Sequence, residues 1–336
     1  MRTIPFWFAL SISSALAQTS KYAGSFLEIP VGARGLGMGD AIVSIVDDGT
    51  AFHYNPAGAA YIRGDLLSMM YSSQYGALAK PLSDFFFVGY ARRLQELSVA
   101  ISWVRLSVED IPRSPDLTVY DSPAQRELLV KTGGSSGYFT SADDAFYFTA
   151  SRAYNLDLDL GWSLAKIPLT LPVGVNFKII HRSLGGRNAS GAGIDVGVMI
   201  ALEFESFLDR EKMGRLSFGM SLRDVTTTRI GWDTQTIESI PGSAAWGVSY
   251  DAPARFLKGN VTVAFSRESR YGDVMLGAEY RYKSILALRL GSYASDFTAG
   301  VGLDVDFMRV DYAFLMQDLG NVNRIGVALY LDRMFQ

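Results

Sequence analysis

Gly35, Gly37 and Gly39 recur at alternate positions in the run ARGLGMGDA, residues 33–41. Glycines at such spacing can wrap a phosphate, but a phosphate loop also needs a buried strand before it and a Lys-Ser/Thr pair after it. Neither is present, so no nucleotide site is assigned. The chain has two histidines, His53 and His181. A nucleophilic hydrolase must set a serine and a carboxylate around one of them. His53 sits beside an Asn-Pro turn and His181 ends an alternating segment, and no local spacing supplies those partners. Asp47-Asp48 and Asp143-Asp144 are paired carboxylates, which suit hard cations. No calcium-loop pattern surrounds either pair, so they read as solvated or salt-bridged groups. With no cysteine among 336 residues, disulfide scaffolds and thiolate-ligated zinc or iron–sulfur sites are excluded. No catalytic, cofactor-binding or metal-ligating residue is expected, and no covalent chemistry.

Nor does the charge point to nucleic acid. Lys and Arg number 31 and Asp and Glu 34, a net charge of −3, which is not a basic binder's balance. Charged residues make up 19% and aromatics 12%; an ordinary soluble domain is roughly 25% charged. Met1-Arg2, an apolar stretch through Leu16 and the small-x-small triplet Ala15-Leu16-Ala17 have the form of a signal peptide over residues 1–17. The stretch is shorter than the ~18–20 apolar residues of a spanning helix. Its removal takes only Arg2 among the charges and leaves 30 − 34 = −4. Export is expected.

The elements that follow have a period of two. Ile194, Val196, Val198, Ile200, Leu202 and Phe204 alternate with Gly193, Asp195, Gly197, Ala201, Glu203 and Glu205, and Met199 is the one exception. Val173, Val175, Phe177 and Ile179 alternate with Gly174, Asn176, Lys178 and Arg182, with Ile180 out of phase. Residues 297–306 and 324–332 repeat the pattern. These are strands with one oily face and one polar or small face.

A soluble sandwich buries the oily face; a membrane barrel turns it to lipid and the polar face to its interior. Three features select the barrel. Many segments run ~9–11 residues, the tilted crossing length. Glycine is frequent on the polar face. Aromatics gather near segment ends, as interfacial girdles do: Phe85–Phe87, Phe146–Phe148, Trp162, Trp232, Trp246, Tyr280, Tyr282, Tyr293 and Tyr312. The expected fold is all-β, a transmembrane antiparallel barrel of about fourteen strands embedded in outer-membrane lipid. The strands lie near 66–75, 84–93, 96–106, 143–153, 171–183, 191–204, 214–223, 243–251, 257–267, 273–282, 285–293, 297–305, 307–315 and 324–333. Residues 156–167 are a further or bent strand, and 126–131 a short amphipathic helix. Turns at Lys283-Ser284 and Leu319-Gly320-Asn321 suit one rim, and the longer connections 107–142 and 224–242 the outer one.

Residues 26–61, FLEIPVGARGLGMGDAIVSIVDDGTAFHYNPAGAAY, do not alternate. Phe26-Leu27, Gly32 to Ala41, Asp47-Asp48 and Asn55-Pro56-Ala57-Gly58, with AEYRYKSILALRLGSY, FTAGVGLDVDF and VDYAF towards the C-terminus, resemble the PorV/PorQ outer-membrane family, itself related in fold to FadL-type hydrophobic-compound channels. The resemblance implies a barrel over 65–336 with residues 18–64 folded inside as a plug. The plug motif is then Arg34, Gly35, Gly37, Met38, Gly39, Asp40, Asn55, Pro56 and Ala57. Glycine permits close backbone approach, and Asn-Pro is a turn signal. Arg34 and Asp40 are expected to pair with a wall carrying Lys178, Asp195, Glu203, Glu279, Arg281, Arg289, Asp304, Asp306, Arg309, Asp311 and Arg324. Both signs occur, which reads as an internal salt-bridge lattice rather than a charge-selective filter.

The resemblance implies either of two non-enzymatic functions. One is docking or shuttling of proteins exported by a type IX secretion system, with secreted C-terminal domains or a translocon as partner. The alternative is a passive FadL-like route for hydrophobic small molecules. Phe335, next to the terminal Gln336, stands where the resemblance implies an aromatic assembly signal on the last strand.

Overall fold

The computed structural model describes residues 23–77, 80–114, 117, 122–131, 136–159, 166–203, 214–318 and 320–334. The expected signal peptide, Trp162, Leu319 and Phe335 lie outside the described residues.

Among the described residues sixteen strands form one antiparallel sheet. They are β1 (Asp65–Ala77), β2 (Lys80–Leu94), β3 (Leu97–Pro112), β4 (Tyr138–Asp159), β5 (Lys166–Leu184), β6 (Arg187–Glu203), β7 (Arg215–Arg223), β8 (Thr228–Trp232), β9 (Ile237–Ile240), β10 (Ser243–Ala254), β11 (Gly259–Glu268), β12 (Val274–Tyr282), β13 (Leu286–Tyr293), β14 (Asp296–Val305), β15 (Met308–Leu315) and β16 (Val322–Tyr330). β8 and β9 make a hairpin hung on the start of β6, from Ala189↔Trp232 to Ala192↔Arg229. Among the described residues the other fourteen close into a ring. β1 pairs with both β2 and β16, and β5 with both β4 and β6, so no strand of the ring keeps an open edge. This is the closed transmembrane barrel that the alternation predicts.

The oily stripe faces outward. Phe177, Ile179, Val196, Ile200, Leu288, Leu290, Val301, Leu303 and Ile325 are exposed, while their sequence neighbours Asn176, Lys178, Asp195, Arg289 and Arg324 are buried. An apolar belt running round the whole wall far exceeds the patches a water-soluble surface carries; lipid is its solvent. The fourteen expected ring strands all form, with ends shifted by a few residues. Of residues 156–167, 156–159 extend β4 and 166–167 begin β5, and the others lie outside the described residues. The helix expected at 126–131 spans Pro123–Lys131.

Three expectations are corrected. The connection 224–242 is not a plain loop but holds the β8–β9 hairpin. The 316–321 connection lies on the same rim as 113–137 and 224–242, opposite Lys283-Ser284, because successive hairpins of an up-and-down barrel alternate between rims. The last strand ends at Tyr330, and Leu331–Met334 turn into a single helical turn. We call the rim bearing residues 65 and 330 the terminal rim and the opposite one the loop rim.

Candidate functional site, the filled lumen

Residues 23–62 run as short helical turns, Ser25–Glu28, Ala33–Gly37, Ala51–Tyr54 and Pro56–Tyr61, and are mostly buried against the inward faces of the strands. Two saddles of wall glycine receive them. On β12–β14, a Cβ at Gly277 or Gly291 would overlap the backbone at Met38 and Gly39, and one at Gly300 would lie 3.1 Å from the Gly37 Cα. On β5–β7, a Cβ at Gly174, Gly197 or Gly219 would collide with Pro56, Asn55 or Val43 respectively. Gly39 and Asp40 take left-handed backbone angles (φ 60° and 67°) and reverse the chain at the first saddle; glycine adopts that region without penalty.

Asn55 fastens the second saddle. Its Oδ1 accepts the Ala57 N–H at 3.1 Å, capping the turn that Pro56 begins. Its Nδ2 donates to Val43 O at 3.1 Å and to the wall carbonyl of Val198 at 3.1 Å. Asn176 donates to Phe52 O (2.7 Å), Ser151 to Ala57 O (2.9 Å) and Ser44 to the Ser249 hydroxyl (2.9 Å).

Ion pairs within the lumen supply the rest. Arg34 pairs with Asp47 and reaches Asp48 (3.6 Å) and the wall's Glu279 (3.5 Å). Glu279 also receives Arg289 (2.6 Å) and Arg281 (2.8 Å), and Arg289 continues to Asp311 (2.6 Å). Lys178 bridges Asp195 (2.8 Å) and Asp224 (2.7 Å). A dry ion stripped of its partner costs about 3–5 kcal/mol, so these networks fix register within the lumen. Enclosure within the barrel works to raise the Asp47 carboxyl where it opens onto the lumen, but Arg34, with Arg309 and Arg281 behind it, holds it below the ordinary range. Burial raises Asp40 to about 6, opposed by the Tyr54 hydroxyl that donates to it. Burial and the cations Arg223, Arg324 and Lys178 keep His53 neutral, well below the usual imidazole range.

The lumen is divided by character. Towards the loop rim, Phe26 and Leu27 of the N-terminal segment join Phe52 and the inward side chains Met70, Phe85, Phe87, Val104, Tyr147 and Ile180, closed over by Ile230 and Ile240 of the β8–β9 hairpin. The Phe52 ring lies 4.7 Å from that of Tyr147 and 5.3 Å from that of Phe87. Above this cluster Glu28 pairs with Arg270 and Arg223, and Arg182 ties Asp143 to Glu238 of the hairpin. Towards the terminal rim lies a polar cavity of about 590 Å³, with Arg34, Asp47, Tyr61, Glu203, Arg215 and Glu279 in its lining.

No family model matches the chain, and no curated protein matches it. Among solved structures, the Pseudomonas putida toluene transporter TodX aligns at 12% identity over 89% of this chain and 96% of its own, with a TM-score of 0.47. The Ralstonia pickettii toluene transporter TbuX aligns at 11% over 89% and 97%, TM-score 0.45. A Pseudomonas aeruginosa FadL homologue aligns at 11% over 90% and 98%, TM-score 0.31.

Of the residues singled out in the sequence, Arg34, Gly35, Gly37, Met38, Gly39, Asp40, Asn55, Pro56 and Ala57 all lie buried in this segment. Lys178, Asp195, Glu279, Arg289, Arg309, Asp311 and Arg324 are buried on the wall. Glu203 and Arg281 face the polar cavity, and Asp304 pairs with Arg309 (3.3 Å). Asp306 is not a lumen residue: it is exposed, with φ 53°, in the tight turn between β14 and β15. Asp40 meets Tyr54 rather than a wall cation. Arg324 is fully buried and, among the described residues, without a carboxylate partner, its guanidinium 6.0 Å from the Phe85 ring. Phe85, Phe87 and Tyr147 were expected in the girdles but point inward. The readable signal was the broken phase. Ile180 and Met199, the two exceptions to alternation, are both inward residues of apolar clusters that include the N-terminal segment.

Proposed function

We propose that the protein resides in an outer membrane, reached through the signal peptide, and passes apolar small molecules through a barrel that residues 18–64 close as a plug. One observation carries this reading: the half of the lumen under the loop rim is lined by inward-facing Met, Phe, Val, Tyr and Ile of the wall itself. A barrel for hydrated solutes keeps its interior polar. An apolar interior packed by a strap held by ion pairs and capped by a hairpin suits a cargo that leaves water once the strap moves aside. The reading is non-enzymatic. Its test is influx of an apolar fluorescent dye into proteoliposomes holding the mature protein. Influx above that of protein-free vesicles supports it, and equal rates overturn it.

The second reading, a PorV/PorQ-type barrel that docks type IX-exported proteins, is favoured by the networks around Arg34, Glu279 and Arg289, which suit a barrel that stays shut. Co-purification with secreted C-terminal domains or a translocon, without dye influx, selects it.

A further inference from the structure

At the terminal rim two turns stand side by side. One joins β10 to β11 through Arg255–Leu257 and Lys258; the other joins β12 to β13 through Lys283 and Ser284. The Lys283 N–H donates to Lys258 O at 3.2 Å, and the Tyr280 hydroxyl donates to Leu257 O. A cleft of about 470 Å³ runs between the turns, lined by the cations Arg255, Lys258, Arg281 and Lys283 and, among the described residues, by no carboxylate. Arg281 is engaged by Glu279. Neither Lys258 nor Lys283 has a carboxylate partner among the described residues. Both lysines sit at positive φ (54° and 47°), a conformation that carries a backbone cost for any side-chain-bearing residue.

The apolar side chains around this cleft are placed for a membrane. Phe256, at the tip of the first turn, is 97% exposed, and Leu257 and Ile285 are about half exposed. Tyr250, Tyr280 and Tyr282 fall in the outward phase of their strands just above, and the Lys283 ammonium lies 5.3 Å from the centre of the Tyr282 ring. Tyrosines mark the level where hydrocarbon gives way to headgroups, so the cations sit at headgroup depth. An exposed phenylalanine beside lysines is disfavoured in water but matches a surface that inserts its ring and pairs its charges with lipid.

We propose that this cleft binds the phosphate of an anionic phospholipid in the leaflet at the terminal rim, with Phe256 and Leu257 seated among the acyl chains. Lys258 and Lys283 supply the charge, and the Ser284 hydroxyl is in reach as a further donor. The site rests on the barrel fold alone, independent of cargo.

Native mass spectrometry of the full mature protein, titrated with phosphatidylglycerol and with phosphatidylcholine, tests it. Phosphatidylglycerol should bind in preference. The Lys258→Gln/Lys283→Gln double variant should lose about thirtyfold in that affinity, from roughly 1 kcal/mol per lysine at tenfold per 1.4 kcal/mol. Lys258→Arg/Lys283→Arg should retain it, and Phe256→Ser should weaken it with every charge in place. Heat-modifiable gel migration certifies folding, and single Lys283→Gln serves if the double variant fails to fold. Equal binding of the two lipids, undiminished phosphatidylglycerol binding in the glutamine variants, or its displacement by inorganic phosphate overturns the proposal.

Discussion

Gly197→Val separates the N-terminal segment from the wall without touching the wall's own hydrogen bonds. Gly197 pairs through its backbone with Gly174 on β5 and Ser221 on β7, and a β-branched residue suits a strand. A side chain there would overlap Asn55 Oδ1 and lie 2.8 Å from Pro56 Cδ. The Asn55-Pro56 turn must retreat by about 1 Å, which stretches the 3.1 Å bond from Asn55 Nδ2 to Val198 O beyond hydrogen-bond range. Each buried polar group left unpaired costs about 1–3 kcal/mol; the Asn55 amide and the Val198 carbonyl, with the steric strain, weaken docking by roughly 3–5 kcal/mol. That is about two to nearly four powers of ten in the undocked population. Hydrogen exchange should show faster amides over residues 51–61 while the strands stay protected, and planar-bilayer recordings should show more frequent openings. Gly231→Val, where a Cβ meets nothing within 4 Å, should be silent in both assays. Unchanged exchange and conductance in a folded Gly197→Val barrel would refute the reasoning.

Arg289→Met leaves Asp311 without its 2.6 Å partner inside the barrel; unfolding in detergent should show a loss of about 3–5 kcal/mol, and an unchanged urea midpoint contradicts the network's role. Glu28 gives a pH dependence. Burial and then Glu268 raise its carboxyl from 4.5 to about 7 against Arg223 and Arg270. The docked strap therefore holds a proton that the undocked one releases, so Glu28's own contribution to docking is greatest below pH 4.5, falls as pH rises to about 7 and is flat above. Hydrogen exchange across residues 23–31 from pH 5 to 8 checks this, and Glu28→Gln should remove the part of the slope above pH 6, beyond which Asp40 adds none.

The ring was legible because each of its strands carries the same two-residue period and lipid accepts one face of it continuously. Alternation assigns residues to faces, however, not to heights or neighbours. Phe85, Phe87 and Tyr147 look like girdle aromatics until the N-terminal segment supplies an apolar interior for them. Asp306 shares the phase of Asp304 but falls in a turn, which the pattern does not register. The β8–β9 hairpin escaped because its strands have five and four residues, too few for alternation to stand out. The wall glycines could be seen as a group, but which of them receives Met38 and which Asn55 depends on register between strands far apart in the chain.

The most direct test of a movable plug is a reversible lock. Ser44 Oγ in the N-terminal segment lies 2.9 Å from Ser249 Oγ on β10, and the chain has no cysteine of its own, so Ser44→Cys with Ser249→Cys offers a single disulfide between segment and wall. Dye influx through proteoliposomes should stop when that bond is oxidised and return when it is reduced. Equal influx in the two states, with the cross-link confirmed by mass, would contradict the account.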